Sequence, residues 1–168
     1  RRKIVLDALS FAYDATQKRN FPTSLYIRGG NLYNTDLLPN VITLARIASG
    51  AAHQPEFYDG GRREMMEQAV EQNPAITGAD CSGGVVGLLR HAGVVKPTYD
   101  LAADGFEASG SVKKIEQGEL LPADLLHKRG HIGLYVGGGY AAEWMGGAYG
   151  CQLTKLANRR GWNFVAHE

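Results

Sequence analysis

A cysteine, a histidine and a glutamate in this chain have the types and settings for nucleophilic acyl chemistry. Cys81 lies in Ala79-Asp80-Cys81-Ser82-Gly83-Gly84, directly before Val85, Val86, Leu88, Leu89 and Ala92, which recur at helical spacing. The spacing predicts a helix that starts near Cys81 and closes at Gly93, a residue suited to the left-handed conformation of helix ends. Asp80 or Ser82 can cap the free backbone donors of the first turn. A thiol in that place feels the positive end of the helix dipole, a setting that favours the nucleophilic thiolate.

A thiolate attacks an amide carbonyl well, but the amine that leaves must receive a proton. His131, in Gly130-His131-Ile132-Gly133-Leu134-Tyr135-Val136-Gly137, stands 50 positions after Cys81 and is the expected proton donor. Its ring must be held by an acceptor behind it, and Glu143 is the residue expected there. If Gly137, Gly138 and Gly139 form a hairpin turn, Gly133 stands opposite Glu143. His131 and Glu143 then share one face as diagonal neighbours, about 7 to 8 Å between α-carbons. A two-residue turn would send Glu143 to the other face, so the assignment needs a three-residue or bulged turn. A carboxylate behind His131 stabilises the imidazolium. Backbone N–H groups at the start of the Cys81 helix are expected to receive the oxyanion.

These residues need a frame. Residues 1 to 20 read as an amphipathic helix, with Ile4, Val5, Ala8, Leu9, Ala12 and Tyr13 on one side. Residues 25 to 30 read as a short extended piece ending in a glycine pair. Residues 39 to 48 and 62 to 72 read as helices with a loop over 50 to 61, and the Met65–Met66 pair as core filler. After the nucleophile helix comes a loop with a short turn around residues 101 to 106, then an extended piece over 111 to 118. A strand is expected over 120 to 126, with Asp124 as a turn or cap residue. The glycine hairpin and further strands over 152 to 156 and 162 to 165 complete an antiparallel sheet, and the fold class is α+β. His53, His91, His127 and His167 read as structural or surface residues, and Cys151 as a small packed one.

Asp80-Cys81-Ser82-Gly83 at a helix start, then Pro122-Ala123-Asp124-Leu125-Leu126, then Gly130 to Gly137, run in this order within residues 76 to 165. Together they resemble the NlpC/P60 family of papain-like cysteine peptidases, which cut bacterial cell-wall peptides. The resemblance implies a papain-like fold, N-terminal helices packed on an antiparallel sheet, and no cofactor. Tyr26-Ile27-Arg28-Gly29-Gly30 is similar to a family element upstream of the nucleophile, which places Tyr26 at the border of the active site. By the same resemblance, Asp80 and Ser82 border the pocket for the peptide. The family usually has histidine, and sometimes asparagine or glutamine, about where Glu143 stands, and glycine where Ala123 stands. Its glycine pair leads to the cysteine within a short loop, whereas residues 31 to 79 intervene here. They read as a helical insertion in a single catalytic domain over 1 to 168.

The implied activity is a cysteine endopeptidase on bacterial peptidoglycan stem peptides, often at the bond after D-glutamate. The same scaffold would serve an amidase, a deamidase or an acyl transferase. A non-catalytic wall-binding module is a third reading, motivated by the unusual Glu143.

Composition removes other classes. Hydrophobic residues make up 44% of 168, ordinary for a globular domain and against disorder. The formal charge is +1 and the basic residues are scattered, so no stripe marks a nucleic-acid partner. Two cysteines without metal-ligand spacing give neither a disulfide framework nor a zinc site. No apolar run is long enough to span a membrane, and the first residues lack the core of a signal peptide. A start at Arg1 rather than Met suggests that the native N-terminus is missing, so export is left open. The expected setting is a secreted or wall-associated protein, or a phage lysis or tail protein. The sequence does not give the oligomeric state.

Overall fold

The computed structural model describes residues 1–17, 21–110, 112–146 and 149–167, residue 167 by its backbone alone. The end of the helix expected over 1–20 and the first residue of the extended piece expected at Ser111 lie outside the described residues.

Helix α1 (Arg2–Phe11) is shorter than its apolar pattern. It stops because the backbone of Tyr13 is taken by a strand: Tyr13 N–H donates to Cys151 O (2.7 Å), and Leu153 N–H donates to Tyr13 O (2.9 Å). Strand β1 (Ser24–Tyr26) follows. Residues 39 to 43 are extended rather than helical: Val41 bridges Thr77, and Ile42 N–H donates to Ile76 O (2.9 Å). Pro39 and the β-branched Val41, Ile42 and Thr43 suit that conformation. Thr43 then caps α2 (Leu44–His53) by accepting from Arg46 N–H at 3.1 Å, which is where the helix can begin. Helix α3 (Arg62–Gln72) has the bounds its pattern predicts.

Strand β2 (Thr77–Ala79) pairs in parallel with β1, Tyr26 opposite Ala79. It runs straight into α4 (Cys81–His91), whose expected start and Gly93 closure (φ +75°) are both present. The turn near residue 106 is a short helix, α5 (Gly105–Ala108). The remaining strands are β3 (Val112–Ile115), β4 (Leu125–Lys128), β5 (His131–Gly137), β6 (Tyr140–Trp144), β7 (Cys151–Lys155) and β8 (Asn163–His167). They form a six-stranded antiparallel sheet in the order β3-β8-β4-β5-β6-β7. The architecture is α+β, as expected.

Helices α1 and α4 cover one face of this sheet, burying Ile4, Ala8, Val86 and Leu89 with Leu125, Leu134 and Trp144. Helix α4 lies unusually close to its surroundings. A Cβ on Gly83 would run into the Gly30 carbonyl oxygen, and one on Gly84 into the Trp144 ring. A second core gathers β1, α2 and α3 around Leu25, Ile42, Ile47, Tyr58 and Met66. Met66 is buried and Met65 packs beside it, so the methionine pair fills core as expected.

Candidate active site

Cys81 is the first residue of α4 and is half-buried. Asp80 is its N-cap. One Asp80 oxygen accepts from Gly83 N–H (2.8 Å) and Ser82 Oγ (3.3 Å), and the other from Gly29 N–H (3.0 Å). Asp80 therefore ties the helix start to the glycine pair after β1. Ser82 belongs to this cap.

His131 opens β5, and Cys81 Sγ lies 4.0 Å from the carbonyl of the preceding Gly130. The hairpin after it settles which way Glu143 points. Its turn is Gly138–Gly139, the shorter of the two alternatives, but a bulge at Val136 absorbs one residue. Gly137 faces Tyr140 whereas Leu134 faces Ala142, so Glu143 returns to the face of His131. His131 Nε2 donates to Glu143 Oε1 at 2.8 Å.

Glu143 is fully buried, and His131 is only one of its partners. Arg159 donates from Nη2 to Oε1 (2.8 Å) and from Nε to Oε2 (3.1 Å), and Thr154 Oγ1 donates to Oε2. Burial alone would raise the Glu143 pKa, but the hydrogen bonds from His131, Arg159 and Thr154 hold it at about 2. For His131, burial pushes the pKa down, yet interactions with Cys81 and with Glu143 outweigh it, and the ring is held above its ordinary value.

Trp162 stacks on His131 (centroids 5.6 Å apart, 29° between planes) and lies 5.8 Å from the Arg159 guanidinium carbon. Lys128 Nζ stands over the same indole at 4.2 Å. The turn before His131 is fixed by Asp104, whose Oδ1 accepts from Gly130 N–H (2.8 Å) and pairs with His127 Nε2 (2.9 Å). Those two contacts, Gly130 first, hold the Asp104 carboxyl below its usual range.

Tyr26 sits at the end of β1, partly buried against the same core as Cys81. Burial, then the nearby charges of Cys81 and Asp80, raise its phenol pKa, while Arg28 opposes them. A cavity of about 300 Å³ opens beside Asp80 and Ser82, also lined by Gly29, Asn31, Asp100 and Leu101. The six residues singled out from sequence are therefore brought to one region. Cys151, by contrast, is fully buried, and burial pushes its thiol pKa well up. Asp124 serves a turn, accepting from Leu121 N–H (2.8 Å) and pairing with Arg1 (2.7 Å). His91 pairs with Asp7 and stacks on Tyr33, so it and His127 are structural.

Arg159, Thr154 and Trp162 were not singled out from sequence. Thr154 is legible once β6 and β7 pair, since Gln152 faces Glu143 and Thr154 lies two residues along the same face. Arg159 sits just after a short 3₁₀ turn (Leu156–Asn158), where no periodicity marks a residue. Among the described residues, no cluster of three or more histidine, cysteine or acidic residues could hold a metal ion, and no helix is long and apolar enough to cross a membrane.

No family model and no curated protein matches the chain. Solved structures are similar to it, among them the following three. NlpC2 from Trichomonas vaginalis is 16% identical with a TM-score of 0.44, over 64% of this chain and 45% of that one. The P60 domain of an antigen from M. avium subspecies paratuberculosis is 20% identical with a TM-score of 0.48, over 99% and 95%. The peptidoglycan hydrolase RipB from Mycobacterium tuberculosis is 19% identical with a TM-score of 0.47, over 99% and 65%. The chain therefore spans less than half of the first and under two thirds of the third. Each is a likeness at low identity, to structures named NlpC, P60 or peptidoglycan hydrolase.

Proposed function

We propose that the protein is a cysteine endopeptidase that hydrolyses a peptide bond in bacterial peptidoglycan stem peptides. One observation carries the catalytic part: His131 Nε2 donates to the buried Glu143 carboxylate at 2.8 Å, while Cys81 Sγ lies 4.0 Å from the carbonyl of Gly130, the residue before His131. In this reading nucleophile, proton carrier and orienting acceptor act in series, as acyl transfer requires. The substrate class rests on the motif resemblance of Asp80 to Gly83 and Gly130 to Gly137.

In this reading the Cys81 thiolate attacks the carbonyl carbon, and the carbonyl electron pair moves onto oxygen. Gly83 N–H is taken by the Asp80 side chain and Gly84 N–H by the Asp80 carbonyl, so the first-turn donors for the oxyanion are those of Cys81 and Ser82. The tetrahedral intermediate collapses as the C–N bond breaks, and imidazolium His131 gives its proton to the departing amine. Neutral His131 then takes a proton from water, whose oxygen attacks the thioester. The acid leaves, and Cys81 is restored with His131 protonated. Glu143 stays ionised throughout and holds the ring. Tyr26, Asp80 and Ser82 border the peptide, with the cavity beside Asp80 as one wall.

The chain is then a single catalytic domain acting at the cell wall, from a secreted or phage protein. Residues 31 to 79 are an addition whose stretch from Ile42 to Ile76 builds a second core on β1, while Leu32, Tyr33 and Ala79 join the first. Mass spectra of soluble muropeptides test the reading. Two fragments whose masses sum to the parent plus one water support it. Intact muropeptides with a modified acceptor amine would replace it with a transferase.

A further inference from the structure

The sheet leaves Glu143 in a position that a carboxylate cannot hold alone. Its side chain is fully buried, and a buried carboxylate short of donors takes up a proton rather than stay charged. His131 and Thr154 supply one donor each, and Arg159 supplies two in a fork, one to each oxygen. Four donors match the four lone-pair sites of an ionised carboxylate.

Arg159 is itself held. Its N–H donates to Leu156 O (3.0 Å), and Leu156 N–H donates to Gly139 O (2.9 Å) at the hairpin turn. Lys128 Nζ donates to the carbonyl of the next residue, Arg160, at 2.8 Å. The Trp162 indole roofs both the Arg159 guanidinium and the His131 ring. The loop between β7 and β8 therefore carries a preformed fork aimed at the carboxylate.

Resting on the peptidase reading, we propose that Arg159 is a positioning residue of this site: its forked ion pair keeps Glu143 ionised and in the one orientation that turns His131 toward Cys81. A lysine would keep the charge but not the fork. The charged and titratable groups around the pair are Cys81 from α4, Lys128 from β4, Cys151 from β7 and Arg159 from the loop. Removing the Arg159 charge makes proton release harder for His131 and Glu143.

The test compares wild type, Arg159→Gln and Arg159→Lys by the rate of Cys81 alkylation with iodoacetamide against pH, which needs no peptide substrate. In Arg159→Gln the rising limb moves up by about 1 pH unit. Peptide cleavage by this variant loses roughly 10- to 100-fold in kcat with KM within about twofold, as expected when a general acid is misaligned. In Arg159→Lys the limb stays within about 0.3 pH units of wild type, because the charge is kept. An Arg159→Gln limb that overlays a reactive wild type overturns the role of Arg159 and leaves the peptidase reading standing. A wild-type Cys81 no more reactive than a free thiol overturns both. Should Arg159→Gln fail to fold, the guanidinium N–H resonances of wild-type Arg159 decide. Separate, slowly exchanging lines that move as His131 titrates support the fork, and one averaged line indifferent to that titration overturns it.

Discussion

His131 Nε2 and Glu143 Oε1 lie 2.8 Å apart because a bulge at Val136 cancels the register of a two-glycine turn. Regular pairing through Val136 with the same turn would set Leu134 opposite Glu143 and leave Glu143 on the far face.

Replacing Glu143 with glutamine keeps the shape and an acceptor oxygen but removes the charge that stabilises the imidazolium. Glu143→Gln is expected to lose roughly 10- to 1000-fold in kcat with little change in KM, since the interaction serves the proton transfer. Arg159 is left without its carboxylate, which costs up to about 3 kcal/mol, the low end for a broken buried pair because Arg159 still reaches water. Steady-state kinetics and urea unfolding measure the two effects.

The pH dependence follows from the two shifts. The His131 pKa is raised above 6.5, so its contribution to stability is complete below about pH 6.5 and is lost as pH rises through the raised value. Glu143 is held at about 2 against 4.5, so its contribution is present above pH 4.5 and is lost as pH falls toward 2. A displacement from 4.5 to about 2 corresponds to on the order of 3 kcal/mol. Melting temperatures taken between about pH 2 and 9 should fall at the acid end for wild type and distinctly less for Glu143→Gln.

Asp80 joins three donors, from Gly29, Ser82 and Gly83, so its loss should loosen the helix start that carries Cys81. Asp80→Ala is expected to cost about 1 to 2 kcal/mol, or a few degrees in Tm. Asp80→Asn keeps an acceptor for Gly83 and should lose less. Thermal unfolding of the pair separates the cap from the charge.

Gly83→Ala places a methyl against the Gly30 carbonyl, which backbone on both sides holds in place. The expected cost is about 1 to 3 kcal/mol, with a drop in Cys81 reactivity because the shift falls within the first turn of α4. Urea unfolding and iodoacetamide kinetics on one sample check both parts.

Much of the site was legible because its signals are local. The start of α4 is written in the Asp80 cap and the apolar period after it, and the hairpin in its glycines. Helix boundaries set by tertiary pairing were not legible. Helix α1 carries its apolar pattern past Phe11, but the backbone of Tyr13 is claimed by β7, and residues 39 to 43 are drawn into bridges with Tyr33 and Thr77. Arg159 reaches Glu143 through a loop, and a single charged loop residue has no period to announce it. The parallel pairing of β1 with β2 joins segments about 50 residues apart, beyond any local signal.

The most direct measurement is digestion of purified peptidoglycan by wild type and by Cys81→Ala, with released fragments read by mass spectrometry. Fragments with new peptide termini that appear with wild type and vanish with Cys81→Ala are the predicted result. Folded wild-type protein that releases none, or fragments that persist without the thiol, would contradict a Cys81 peptidase.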